Sequence, residues 1–382
     1  MQILLVTDFL RNAAGTEYIT TIFAWALKKA GTDVRVFSTS PVTPEPWGTV
    51  LQEANIPVLS GQHDRSDGLD TPEDLADRLE QALGGWQPDL IHGNPLGPTV
   101  FHLLRASRFR NVPLVATETN EASSRCWWYD ERVFRHVNLL DGLTASCNRV
   151  LHGEREYFGY EGPLYRIPFF IAEPSSPPSA YQPEEGTSSA PLSIGFIGPP
   201  CPRKGFDVLL QALCNDDVRE AVTVTTYGDD APQDAERQVA DTGLSERVRV
   251  ADPFHPINGI SRVCRRHDAF VWASRFEGFP IASLEVAARG LPIVATDVGG
   301  LAELLKPSGE LVVPPEQPAA LAGAINRLVS NYSRYLRRAQ ERAPKVRRAY
   351  GTGVVTKILD MYRDVLQRVD RQSPRRRPHF LH

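Results

Sequence analysis

Short apolar runs alternate with helix-patterned stretches along this chain. In the first half, Ile3–Val6, Val34–Phe37, Leu90–His92, Leu114–Thr117 and Gly142–Ala145 read as strands. Helical patterns near Glu17–Lys29, Pro72–Leu83 and Thr99–Ala106 separate them. The second half repeats this grammar. Its strands are expected at Ser193–Ile197, Val222–Tyr227, Val248–Val250, Ala269–Trp272, Ile293–Ala295 and Leu311–Val313. Its helices are expected near Lys204–Leu213, Gln233–Thr242, Ser261–Arg266, Ile281–Arg289 and Pro318–Val329. Alternation of strand and helix predicts α/β halves, each a doubly wound, Rossmann-like parallel sheet.

Residues 172–191, rich in proline and serine, read as a linker. The expected division is 1–171, linker 172–191, a second domain 192–350, a last helix 351–370 and a flexible tail 371–382. Such sheets bind ligands outside the carboxyl ends of their strands, so two of them facing each other would share one cleft.

Composition changes this picture little. At ~150 residues per domain, 382 residues allow two or three domains. Hydrophobic content of 42% and charged content of 23% are ordinary for a soluble globular protein. A net charge of −4 gives no general basic field for nucleic acid. No apolar run nears the ~20 residues that span a bilayer. The start, MQILLVTDF, reads as a strand and not as a signal peptide. Cys126, Cys147, Cys201, Cys214 and Cys264 are scattered without metal-ligand spacing, which points to reduced thiols and a cytoplasmic setting.

The chemistry concentrates in residues 274–305, SRFEGFPIASLEVAARGLPIVATDVGGLAELL. A loop carries Glu277, Pro280 opens a helix, Gly290 closes it in a left-handed cap, and residues 292–296 form a buried strand. Glu285 lies ~7 Å below the helix start, at 1.5 Å rise per residue. Carboxylates at two depths suit the two ends of a long polyhydroxylated ligand, such as a nucleotide sugar. Upstream, residues 193–213 read strand, tight loop and helix, with Lys204-Gly205 at the helix opening. Free amides and the positive helix end would face an anion there, and Lys204 can neutralise a diphosphate. A lone Lys-Gly pair is ordinarily a surface turn; the flanking strand and helix give this one its meaning. Asp297-Val298-Gly299-Gly300 precedes a short helix, Leu301–Leu305, and offers further amides.

These segments resemble the donor-binding signature of the retaining glycosyltransferases of family 4, whose pattern is E-x7-E with EGF at the front and whose fold is GT-B. The resemblance implies two Rossmann-like domains facing a cleft, with acceptor binding in the first and donor binding in the second. It gives Glu277 the donor sugar, Glu285 the ribose hydroxyls, and Lys204, helped by Arg203, the diphosphate. Gly198, Gly278, Phe279, Gly299 and Gly300 would line the donor. It also implies that residues 351–370 cross back to the first domain.

Over residues 1–170 the likeness is looser. Gly15-Thr16-Glu17 partly matches a GG-x-E loop that approaches the diphosphate, with Ala14 in place of the first glycine. The same residues equally suit a plain helix start, capped by Thr16. His92 stands at a strand end before a Gly- and Pro-containing loop, a place more often structural than functional. Where the family often has a sugar-contacting histidine, this chain has Glu118, Thr119 and Glu121. Glu118 could then accept a hydroxyl hydrogen bond. Trp127, within Cys126–Tyr129, is a candidate to stack on sugar or acceptor, against simple packing. Pro199 follows Gly198 where many members carry arginine. The basic stretch Arg334–Arg348 reads as a solvated face interrupted at Pro344.

No spaced D-x-D pair is present, and Asp229-Asp230 are adjacent. The implied enzyme is therefore metal-independent and needs no cofactor, with Lys204, Arg203 and helix N-termini replacing a cation. Its expected reaction moves a sugar, with retention, from a nucleoside-diphosphate donor (UDP or GDP) to an acceptor hydroxyl. The acceptor could be a small molecule, a polysaccharide or a lipid-linked sugar, with peripheral contact at the inner face of a membrane. Two alternatives stay open: a catalytically silent sugar-nucleotide-binding subunit and a nucleotide-sugar epimerase.

Overall fold

In the computed structural model of the chain, β1 (Gln2–Thr7), β2 (Asp33–Ser38), β3 (Val58–Ser60), β4 (Leu90–Gly93), β5 (Leu114–Glu118), β6 (Gly142–Ala145) and β7 (Leu164–Arg166) form one sheet. Their order is β3-β2-β1-β4-β5-β6-β7, and every pair is parallel. The structure describes all residues except 11–14, 62–70, 107–108, 110, 122–134, 172–190, 229–231, 253–258, 310 and 372–382. Trp127, Asp229, Asp230, nearly all of the expected linker and the tail from 372 lie outside the described residues. The middle of the central strand β1 is apolar because helices cover both faces: Ile3, Leu4, Leu5 and Val6 are wholly buried. The helices α1 (Gly15–Lys29), α2 (Pro72–Leu83), α3 (Pro98–Arg105) and α4 (Asn148–Glu156) supply the crossovers. The unforeseen strands β3 and β7 are three-residue edges without fully buried positions. Their length is too short for a period to show.

The second sheet contains β8 (Leu192–Ile197), β9 (Val222–Tyr227), β10 (Val248–Ala251), β11 (Ala269–Trp272), β12 (Ile293–Thr296) and β13 (Leu311–Val313). Its order is β10-β9-β8-β11-β12-β13, again all parallel. The main helices here are α5 (Phe206–Leu213), α6 (Ile281–Ala288), α7 (Leu301–Leu305), α8 (Pro318–Ser330) and α9 (Tyr332–Ala349). Phe196, Phe206, Leu209, Val271, Val294 and Ile325 pack in its core. Strand order reverses between β8 and β11. In doubly wound sheets that reversal opens a crevice at the carboxyl strand ends.

Two local expectations are corrected. Pro280 is the N-cap of α6, not its first residue, with ψ at 114°. Pro344 does not interrupt its helix, since α9 runs through it to Ala349. An interior proline forfeits one helix hydrogen bond and costs about 3 kcal/mol. Buried Leu336, Ala339, Ala343 and Val346 hold α9 in place against that cost. Arg342 and Arg347 add hydrogen bonds to the carbonyls of Leu291 and Ala288, beyond and at the end of α6.

The chain packs as two units. One gathers Met1–Phe170 and the chain from Thr352 onward; the other is Ile171–Gly351. The last helix, α10 (Val355–Arg371), is thus part of the first unit. Buried Tyr362 anchors it through a 2.7 Å hydrogen bond to His92 Nδ1, and Tyr165 donates to Asp364 Oδ2. Among the described residues, no helix is long and apolar enough to cross a membrane.

Candidate active site

Two loops of the second unit meet at the sheet's reversal point. One follows β8 and carries Arg203 and Lys204; the other follows β11 and carries Glu277. The first loop leaves β8 through Gly198 at φ 134°, a conformation open to glycine. A Cβ there would lie 3.2 Å from Lys204 Cε, so the glycine makes room for the lysine stem. A short 3₁₀ turn, Pro202–Lys204, ends at Gly205 with φ 68°. A Cβ on Gly205 would stand 2.0 Å from the Ala273 carbonyl oxygen, so only glycine lets the two loops touch here.

At their junction Lys204 Nζ donates to Glu277 Oε1 at 2.6 Å. Ser274 Oγ donates to the same oxygen at 2.7 Å, and Arg203 Nη1 lies 3.6 Å from Oε2. Thr296, on β12, donates to the Ser274 carbonyl at 2.6 Å and fixes that serine. Glu277 is buried and Lys204 nearly so. Burial pushes the Glu277 carboxyl upward, but Lys204 and Arg203 more than offset this and hold its pKa below the ordinary value. Burial pulls the Lys204 ammonium downward, with Glu277 opposing. The result is a dry carboxylate with two cations beside it, at a place where a ligand's own anion could take over one partner.

The remaining donor candidates share this unit. Gly299 has φ 48°, and its Cβ would meet the Gly278 carbonyl oxygen at 2.2 Å. A Cβ on Gly300 would overlap Phe279. Gly300 N–H donates to Gly278 O at 2.8 Å. Expected as an anion donor, the Gly300 amide is instead spent on the Glu277 loop. Buried Phe279 stacks edge-on with Tyr350 at 5.6 Å. Glu285 lies in α6, half-buried, with its carbonyl accepting from Arg289.

Residues 191–331 match the family model for glycosyl transferases group 1. The chain is 30% identical to the D-inositol 3-phosphate glycosyltransferase of Nocardia farcinica, across 87% of this chain and 80% of that one. The chain belongs to the glycosyl transferases group 1. It is 26% identical to the MMP alpha-(1->4)-mannosyltransferase of Mycolicibacterium hassiacum, across 71% and 69% of the two chains. Two solved structures share the fold. They are Anabaena HepE in complex with UDP and glucose (TM-score 0.76, 19% identity, 94% and 99% covered) and sucrose-phosphate synthase from Thermosynechococcus elongatus (TM-score 0.78, 16% identity, 96% and 100% covered). The architecture is therefore GT-B, with two Rossmann-like parallel-sheet domains.

In the first unit of this glycosyltransferase, Gly15, His92 and Glu118 lie at or beyond the carboxyl-terminal ends of the neighbouring strands β1, β4 and β5. His92 is buried, with Nδ1 bonded to Tyr362 Oη and Nε2 to Thr117 Oγ1, both at 2.7 Å. Burial drives its pKa down to about 3. Both ring nitrogens are committed within the unit, which makes His92 a structural residue here. Buried Glu118 accepts from the amides of Thr119 and Asn120 at 2.7 Å. It also helps push the buried Glu154 carboxyl well above its usual range, burial being the larger cause. Gly15 opens α1, and a Cβ added there would meet nothing within 4 Å, while Glu17 is buried in the first turn.

The structure adds Ser274, Arg275 and Asp207, which carry no signature in the sequence motifs. Asp207 lies in the first turn of α5, close after Lys204. An acid beside an expected anion site calls for a cation partner, and that mismatch was the available signal.

Proposed function

We propose that this glycosyltransferase takes its sugar from a nucleoside diphosphate, transfers it with retention of configuration and uses no metal. The supporting observation is buried Glu277 with nearly buried Lys204 and the more exposed Arg203 beside it, at the point where strand order reverses. Lys204 and Arg203 would neutralise the departing diphosphate, the charge that a metal would otherwise meet. Glu277, released from Lys204 by that anion, would turn to the sugar hydroxyls, and Glu285 would hold the ribose. Gly278 and Gly299 would offer backbone donors. The protein's work is then orientation and electrostatic stabilisation, while the leaving diphosphate helps remove the acceptor's proton. Pro199 takes the place of an arginine common in similar enzymes. Arg203, 3.6 Å from Glu277, supplies a second cation from the same loop, which favours an active enzyme over a silent subunit.

UDP is the first carrier to test, because a solved structure of the same fold, HepE, holds UDP and glucose. Calorimetric titration with UDP, GDP, TDP and ADP should find one tight binder. A donor-only incubation should then release free sugar, and NMR of a transfer product should show the donor's anomeric configuration. Absence of binding by every diphosphate would refute the reading. Binding without sugar release or transfer would favour the silent subunit, and an altered sugar still on its nucleotide would favour the epimerase.

A further inference from the structure

Arg275 lies two residues before Glu277 and joins four segments of the second unit. Its backbone N–H donates to the Arg203 carbonyl at 2.9 Å. Its Nη1 donates to the Pro202 carbonyl. Nη1 and Nη2 form a fork onto Asp207 Oδ1 and Oδ2, each at 2.8 Å. Its Nε donates to Glu316 Oε1 at 2.9 Å, in the loop before α8. A guanidinium has five N–H donors. Most of these are committed inside the protein, so Arg275 is poorly placed to grip a ligand itself.

Asp207 raises a problem that this contact solves. It stands in the first turn of α5, the helix entered from Lys204 through Gly205. A carboxylate there, in the helical turn that follows Lys204, would repel a diphosphate held by Lys204, because like charges near a protein surface interact through a lower effective dielectric than in bulk water. The Arg275 hydrogen bonds hold the Asp207 carboxyl below its ordinary pKa, so it stays ionised. Its negative charge is therefore permanent at working pH and must be cancelled in place.

We propose that Arg275 is a positioning residue that shields the diphosphate site from Asp207 while tying the Arg203–Lys204 turn to the Glu277 loop. The proposal rests on the nucleoside-diphosphate reading given above for the identity of the anion. A lysine at 275 would keep the charge and lose the two-pronged fit, because its ammonium is a point charge.

The test compares nucleoside diphosphates (UDP, GDP, TDP and ADP) with their bare nucleosides, by calorimetry, in the full chain. The measured quantity is the affinity gained from the diphosphate. In Arg275→Met that gain should fall about tenfold at low ionic strength, with nucleoside affinity unchanged. The loss should shrink towards about 0.5 M salt, as screening removes the repulsion. Adding Asp207→Asn to Arg275→Met should recover most of the loss. Arg275→Lys, the variant least disturbing to folding, should fall between wild type and Arg275→Met. A double variant no better than the single one would make Arg275 a direct phosphate ligand and overturn the shield. Parallel loss of nucleoside and diphosphate affinity, insensitive to salt, would reduce Arg275 to a structural brace and also overturn it. A wild type whose diphosphates bind no better than nucleosides would bring down the donor reading together with this proposal. An unchanged gain in Arg275→Met would bring down the proposal alone.

Discussion

Lys204 and Glu277, 73 residues apart in sequence, meet through a 2.6 Å contact between Nζ and Oε1. Both side chains are largely shielded from water, at 12% and 6% exposure. Removing one partner of such a pair strands the other charge, whereas removing both need not. Lys204→Met should therefore destabilise the second unit by about 3 kcal/mol, the lower end of the usual range because Arg203 remains near. Lys204→Met with Glu277→Gln should regain much of that stability, and neither variant should transfer sugar. Denaturant unfolding and a transfer assay check both halves. Equal stability of single and double variants would mean that the pair is not coupled.

Glu285 tests the other end of the proposed donor. It sits within α6 and is half-buried. Charge-assisted hydrogen bonds to hydroxyls are worth about 1.5–3 kcal/mol, so Glu285→Gln should raise the donor KM roughly tenfold or more. The variant should also lose discrimination between the natural nucleotide and its 2′-deoxy analogue. If wild type and variant separate the two nucleotides equally well, Glu285 does not hold the ribose.

The glycines divide by the space around them. A methyl group at Gly300 would run into the Phe279 ring, and one at Gly15 would meet nothing within 4 Å. Gly300→Ala should cost about 1–3 kcal/mol by overpacking and should displace the Glu277 loop, lowering activity. Gly15→Ala should leave the thermal unfolding midpoint where it was. If Gly15 approaches the diphosphate, as the sequence resemblance implies, its alanine variant should lose transfer activity at that unchanged midpoint. A Gly15→Ala enzyme with full activity would leave Gly15 as a helix start and nothing more.

These contrasts show what the sequence could reveal. Glu277, Gly290, Gly299 and Gly300 lie within one short segment, so their loop, helix and turn were legible from local spacing. Gly290 does take a left-handed φ of 76°, and α7 spans the expected Leu301–Leu305. Arg275 was not legible, since its fork onto Asp207 closes a loop of 68 residues. No local pattern distinguishes such an arginine from a solvated one. His92 was harder still. Its place at a strand end was clear, but the partner that makes it structural, Tyr362, lies 270 residues away on α10. The continuous run of α9 through Pro344 was hidden for the same reason, because the packing that compensates for the proline is tertiary.

The buried histidine gives this protein an acid-side weakness that can be worked out from its pKa. In the folded state burial lowers His92 to about 3, from an ordinary 6.5. Above pH 6.5 the ring is neutral in folded and unfolded chains alike, and the group is indifferent to pH. Below 6.5 the unfolded chain binds a proton that the folded chain refuses. Stability then falls by about 1.4 kcal/mol per pH unit, until about pH 3. His267, lowered to about 4 chiefly by burial, adds a similar slope in the second unit. Replacing His92 by glutamine should weaken the hydrogen bonds to Tyr362 and Thr117 and so lower stability at about pH 7. It should also remove the titration. Between about pH 6 and pH 4 the wild type should lose about 2.5 kcal/mol more than His92→Gln, so the two stabilities converge. Hydrogen exchange of β4 and α10 amides at about pH 6, 5 and 4 isolates the first unit from the second. A gap between wild type and variant that stays constant over this range would mean that His92 takes up its proton inside the folded protein.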